Sequence, residues 1–167
     1  GHVFLVAVTA ELLFFLLAAV AMMRAVYSAR NARNYAVPWL LVGLAATDCL
    51  YLLAARDGDF VQLMQRFNAG LLMMAMIALL IARRVIPFFA MRAVPGLAIP
   101  MQTRTGQAQL AACLVAVACG LAGRQIAVAI ALALAGALSL VQVVRWKPHA
   151  VRGQPLLWIL YAGYTGL

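Results

Sequence analysis

Charge is scarce in this sequence. Aspartate, glutamate, lysine and arginine make up 10% of its 167 residues, where a soluble domain carries about 25%. Too few polar groups remain to cover a folded surface in water. Hydrophobic residues reach 67% and the mean hydropathy is +1.00, so a bilayer is the expected solvent and a soluble domain is excluded. Histidine is scarcer still, with only His2 and His149. The three cysteines, Cys49, Cys113 and Cys119, all fall in apolar stretches, and no CxxC pair occurs. On a helix Cys113 and Cys119 point about 120° apart, which suits small buried residues rather than a thiolate site. No GxSxG, Walker loop, HExxH or dinucleotide fingerprint is present, and these residues commit the chain to no reaction.

Long apolar runs take the place of these motifs. Five are long enough to cross a bilayer, at 3–23, 37–55, 60–82, 107–123 and 126–144, and a sixth begins at 155–167. Backbone groups in hydrocarbon must be paired within the segment, so helices are expected. The runs are too long and too uniformly apolar for the roughly 10-residue alternating strands of a β-barrel. The fold expected is therefore all-α: a polytopic transmembrane helical bundle, one region over 1–167 with five complete spans and the start of a sixth. The opening at Gly1 and the stop inside the last apolar run suggest part of a longer protein. In the fifth run Ala129, Ala133 and Gly136 share one face and suit close helix packing.

The basic residues set the orientation. Ten of the thirteen lie in the connections 24–36, 83–106 and 145–154, and three, Arg56, Arg66 and Arg124, fall at the other ends. The positive-inside rule places the ten in the cytoplasm. Anchoring to an anionic leaflet explains the net charge of +9 without a nucleic-acid partner. The partners expected are the lipid bilayer and the remaining spans of a longer chain. Trp39, Trp146, Trp158 and Tyr35 mark the interfaces. Residues 92–106, with Pro95, Gly96 and Pro100, form the main linker.

Two acids lie deep in the runs. Glu11 and Asp48 both sit about 18–20 Å from the basic side and could meet near mid-membrane. Intramembrane acids are costly and point to a proton path, a cation site or a buried ion pair, for which Arg66 is a candidate partner of Asp48. His2, near a membrane boundary, is the candidate metal ligand. No run contains a histidine in its core, so a complete His-ligated site is not expected here. Met73 and Met76 share a face and read as packing, with Cu(I) binding by thioether the sharper alternative. Arg83 and Arg84 close the third run, where Pro87 is expected to stop or kink the helix. Their roles are anchoring or the binding of an anionic group such as a cofactor carboxylate.

Three strings resemble the NnrS family: Ala29-Arg30-Asn31-Ala32-Arg33-Asn34-Tyr35, then Arg84-Val85-Ile86-Pro87-Phe88-Phe89, and Arg145-Trp146-Lys147-Pro148 followed by Gln154-Pro155-Leu156-Leu157-Trp158-Ile159-Leu160 and Ala162-Gly163-Tyr164. The likeness runs from about residue 24 to the end. Two departures stand out: Ala82-Arg83-Arg84 where Gly-Gly-Arg is expected, and Tyr161 where relatives often carry histidine. The resemblance implies a polytopic inner-membrane protein of a bacterium, of about twelve spans, containing haem and copper and linked to nitric oxide and nitrosative stress. It also turns attention to Arg84, Trp158 and Tyr164 as cofactor-binding residues, beside Arg83, which is a candidate through its charge alone. The alternative expectation is a secondary transporter or channel using Glu11 and Asp48.

Overall fold

The computed structural model describes residues 2–30, 34–100 and 102–166. Its described residues form helices α1 (His2–Ser28), α2 (Ala36–Asp57), α3 (Phe60–Ala93), α4 (Thr103–Leu121), α5 (Gln125–Arg145) and α6 (Pro155–Thr165), with a 3₁₀ turn at Pro148–Val151 before α6. No strand occurs among them, and the all-α expectation holds. Four helices, α1, α2, α3 and α5, are long and apolar enough to cross a bilayer. The 19 residues of α4 give about 28 Å, but its start, Thr103-Arg104-Thr105-Gly106-Gln107, is polar. The 11 residues of α6 reach only about 16 Å.

The helix ends follow local chemistry. Gly58 closes α2 in the left-handed region at φ 74° and its N–H donates to the Ala54 carbonyl, a conformation that a Cβ would penalise. Asp59 then opens α3. Its Oδ1 accepts the N–H groups of Val61 at 3.0 Å and Gln62 at 3.1 Å, and its Oδ2 accepts the Gln62 side-chain amide at 2.9 Å. Asp59 is thus a side-chain N-cap, and the Gln62 amide steadies its carboxylate instead of closing a reciprocal capping box. Between α1 and α2 the rings of Tyr27 and Tyr35 stack at 4.6 Å. Asn31, Ala32 and Arg33 lie outside the described residues.

Pro87 does not end α3, which continues to Ala93. The proline lacks the N–H that would reach the Arg83 carbonyl. Beyond it the ladder resumes, and Val94 N–H still donates to Ala90 O at 3.1 Å. The helix stops only at the Pro95–Gly96 pair.

Two compact units divide the chain, Gly1–Ile77 and Ala78–Leu167. In the first, α1 packs on α2, and α2 meets the first part of α3 through small residues. A Cβ on Gly43 would collide with the Met73 thioether end, and one on Gly70 would sit 3.9 Å from the Thr47 hydroxyl. Met73 and Met76 are buried while Met74 is exposed, as the packing reading of that face requires. Most of α1 is exposed, including Leu13, Phe14 and Leu17.

In the second unit α4 packs on α5, and α5 on α6. The buried positions of α5 are Ala131, Ala135, Ser139 and Gln142. The stripe expected to pack, Ala129, Ala133 and Gly136, is exposed. Both faces offer small residues, but only the first carries Ser139 and Gln142, whose polar groups must find partners inside. Trp146, expected at the interface, is also buried at 2% exposure, whereas Trp39 and Trp158 are exposed.

Candidate functional site

An amide in an apolar helix needs a partner, because an unpaired polar group out of water costs more than a hydrogen bond returns. The second unit meets this need with a closed network across three helices. Gln109 of α4 donates through Nε2 to the Ser139 hydroxyl at 2.5 Å, and Ser139 donates to the Ala135 carbonyl at 3.0 Å. Gln142, three residues further along the same face of α5, donates through Nε2 to Gln109 Oε1 at 2.8 Å. The Tyr164 hydroxyl of α6 lies 3.1 Å from Gln109 Oε1 and 3.0 Å from Gln142 Oε1. One phenolic proton is thus shared between two amide oxygens. Gln109, Gln142 and Tyr164 are all about fully buried, at 1% exposure.

Aromatic rings close one side of this network. The Trp146 indole lies 4.8 Å from the Tyr164 ring and 6.0 Å from that of Tyr161. The Tyr161 hydroxyl donates to the Trp146 carbonyl at 3.0 Å. It satisfies a carbonyl at the C-terminal end of α5 that has no partner within the helix. Leu157, Tyr161 and Tyr164 form the buried face of α6, at the i, i+4, i+7 spacing of a helix.

Beside the network stands Arg83, close enough to feel the Tyr164 phenol electrostatically. Its Nη1 is enclosed and has no hydrogen-bond partner. The guanidinium lies over Gly106, where a Cβ would collide with Nη1 and stand 3.2 Å from Cδ and Cζ. Gln102, the residue that precedes α4, has both Oε1 and Nε2 enclosed and unpartnered.

The residues singled out in the sequence are distributed unevenly. Tyr164 and Arg83 share this region of the second unit. Arg84 is half-buried and Trp158 is exposed. Glu11 is exposed on α1. Asp48 is half-buried, with Oδ2 enclosed and unbonded. Arg66 does not pair with it: Nη1 donates to the Leu50 carbonyl at 2.8 Å and Nη2 to Gln62 Oε1 at 2.6 Å. The carbonyl belongs to α2 and the amide to the preceding turn of α3, so both terminal nitrogens of the guanidinium are taken. The His2 side chain lies outside the described residues.

The sequence reading missed Gln109, Ser139 and Gln142. Their signal was present: Ser139 and Gln142 are three apart in an apolar run and therefore share a face. Two amides and a hydroxyl in neighbouring spans have reason to meet.

Haem iron and copper ask for imidazole, thiolate or thioether ligands, or for haem a tyrosine phenolate. No group of three or more His, Cys, Asp or Glu side chains that could hold a metal occurs among the described residues. His149 is exposed in the 3₁₀ turn. The network offers amides, the Ser139 hydroxyl, a guanidinium and a Tyr164 phenol whose proton is engaged by two amide oxygens, so its residues do not fit a metal centre.

Apolar helices joined by a buried amide–phenol network define a polytopic helical protein suited to a bilayer. Compared with known families, residues 1–167 match the NnrS family, described as NnrS protein, and the chain belongs to it. No match was found among curated proteins or among solved structures.

Proposed function

We propose that this chain is the helical membrane part of an NnrS-type protein of the bacterial inner membrane that acts in the response to nitric oxide. Membership of the family over all 167 residues carries this reading. In it, α4 is the fifth complete span and α6 begins a sixth, and the connections 24–36, 83–106 and 145–154 face the cytoplasm. The amide–phenol network fixes α4, α5 and α6 against one another, and the lipid and the rest of a longer chain cover the exposed apolar faces.

The family resemblance implies haem and copper in the intact protein. Because the donors described above do not form a ligand set, such groups would take their metal ligands from outside the described residues. Of the four cofactor candidates, Tyr164 is committed to the network and Trp158 is exposed, and Arg83 carries a donor without a hydrogen-bond partner. An optical spectrum of the purified full-length protein tests the reading. A Soret band that shifts on addition of nitric oxide is the expected result, and a colourless, metal-free protein would overturn it.

A second reading, proton or cation transport, has one observation in its favour: the enclosed, unbonded Oδ2 of Asp48. Among the described residues, no hydrogen bond or ion pair links Glu11 to Asp48. If Asp48→Asn and Glu11→Gln leave every proton-coupled flux unchanged in proteoliposomes, this reading falls.

A further inference from the structure

Around Pro87 the end of α3 turns an apolar face outward. Val85, Phe88, Phe89 and Arg92 follow the i, i+3, i+4, i+7 spacing of one helix side. All four are exposed, Phe88 at 51% and Phe89 at 49%. Ile86 and Ala90, on another side of the same turns, are buried. A helix end that enters water packs its apolar side inward and shows polar residues outside. Here the packed side is satisfied, and two phenylalanines remain on the outer one.

Depth sharpens the conflict. From Phe60, where α3 starts, to Ala82 is about 33 Å along a helix, enough to fill a hydrocarbon layer of about 30 Å. Phe89 lies about 10 Å further along, whereas the headgroup layer adds only about 5–7 Å on each side. An upright α3 would lift both rings to the water side of the headgroups. Pro87 offers another course. Its ring crowds the Arg83 carbonyl, and a helix bends away from such a clash. Val85 and Phe89 lie about 160° round the helix from Pro87. The turns beyond the proline therefore lean toward the side that carries the exposed face, which lowers that face onto the leaflet.

Continuity identifies what covers the face. Ile81, one turn before Val85 on the same side, is exposed within the apolar run, so this side meets lipid before the proline is reached. Arg92 closes the face, with its guanidinium carbon 5.9 Å from the centre of the Phe88 ring. A cation laid over an aromatic ring suits the boundary where acyl chains give way to phosphates. Residues 78–167 contain no aspartate or glutamate, so no acid of this unit opposes approach to an anionic leaflet.

We propose that residues 85–92, bent at Pro87, form an interfacial anchor that lies on the cytoplasmic leaflet. Phe88 and Phe89 enter the boundary between acyl chains and headgroups, and Arg92 stands at the level of the lipid phosphates. The inference rests on the membrane placement proposed above and does not need the nitric oxide role.

Fluorescence depth measurements test it. Ile81→Cys, Phe88→Cys and Phe89→Cys are made singly in full-length protein without other cysteines, labelled with an environment-sensitive dye and reconstituted in vesicles of phosphatidylglycerol and phosphatidylcholine. Quenching by lipids with a nitroxide high or low on the acyl chain is compared with quenching by aqueous iodide. Dyes at Phe88 and Phe89 should be protected from iodide and quenched at least about twofold more by the high nitroxide than by the low one, as for a face set about 5–10 Å into the boundary. The dye at Ile81 should be quenched by lipid as well. Adding Pro87→Ala straightens α3 and should bring the Phe89 dye within reach of iodide, and an unchanged response would overturn the part given to the proline. Iodide quenching of the Phe88 and Phe89 dyes as strong as that of free dye would overturn the anchor in favour of an upright helix end. Protection of both from iodide and from either nitroxide would overturn it in favour of a covering protein segment. An Ile81 dye that no nitroxide reaches would overturn the membrane placement itself, which separates the two failures.

Discussion

The hydroxyl of Tyr164 is the smallest unit on which the second half of the chain depends. It stands between two amide oxygens, those of Gln109 and Gln142. Tyr164→Phe keeps the ring against Trp146 and removes only the donor. Gln142 Oε1 then loses the one hydrogen bond it receives among the described residues. A loss of about 1–3 kcal/mol is expected, read as a lower thermal midpoint of the detergent-solubilised protein. An unchanged midpoint would show that the hydroxyl is not the donor that matters. Tyr164 drew attention through a family resemblance, but its structural role was not legible. That role depends on Gln109, 55 residues away in sequence, and a single sequence does not display long-range pairing.

Helices were the most legible features, because an apolar run in hydrocarbon has few other ways to pair its backbone. Their ends were less so. Pro87 carries a strong local signal for a break, yet α3 continues for six residues beyond it, to Ala93. A proline removes one donor and leaves the bonds on either side intact. The start of α3 gives a prediction. The Gln62 backbone N–H, then the Gln62 side-chain amide and the Val61 N–H, hold the Asp59 carboxyl below the usual carboxylate range. Its folded value lies below its unfolded one, so the unfolded chain binds the proton more readily. The cap therefore stabilises above the unfolded value of about 3.9, and that contribution is lost as pH falls through the lower, folded value. Asp59→Asn keeps a capping oxygen without the charge. The acid side of a plot of thermal midpoint against pH should be flatter in the variant, and coincident curves would refute the assignment.

At the scale of the whole molecule the charge distribution makes the plainest prediction. Ten of thirteen basic residues lie in alternate connections. In a background lacking Cys49, Cys113 and Cys119, cysteines placed at Arg30, Arg92 and Arg152 should all be labelled by an impermeant thiol reagent from the cytoplasmic face. A cysteine at Asp57 should be labelled from the other. Arg30 and Arg92 reacting from opposite faces would overturn the topology.

Composition and run length determined by themselves that the chain is helical and that its helices prefer lipid, since these properties belong to each segment alone. Charge at the segment ends set the expected orientation for the same reason. Only the tertiary structure decided which side of each helix turns inward. Ala131 and Ala135 differ in no chemical respect from Ala129 and Ala133, and the choice between them came from Ser139 and Gln142 finding Gln109 on a neighbouring helix. Trp146 was drawn into the bundle by Tyr161 and Tyr164, and Arg83 was left beside Gly106 with no acid to pair with. Polar groups in an apolar medium are satisfied by whatever approaches them in space, and that is a property of the assembled fold.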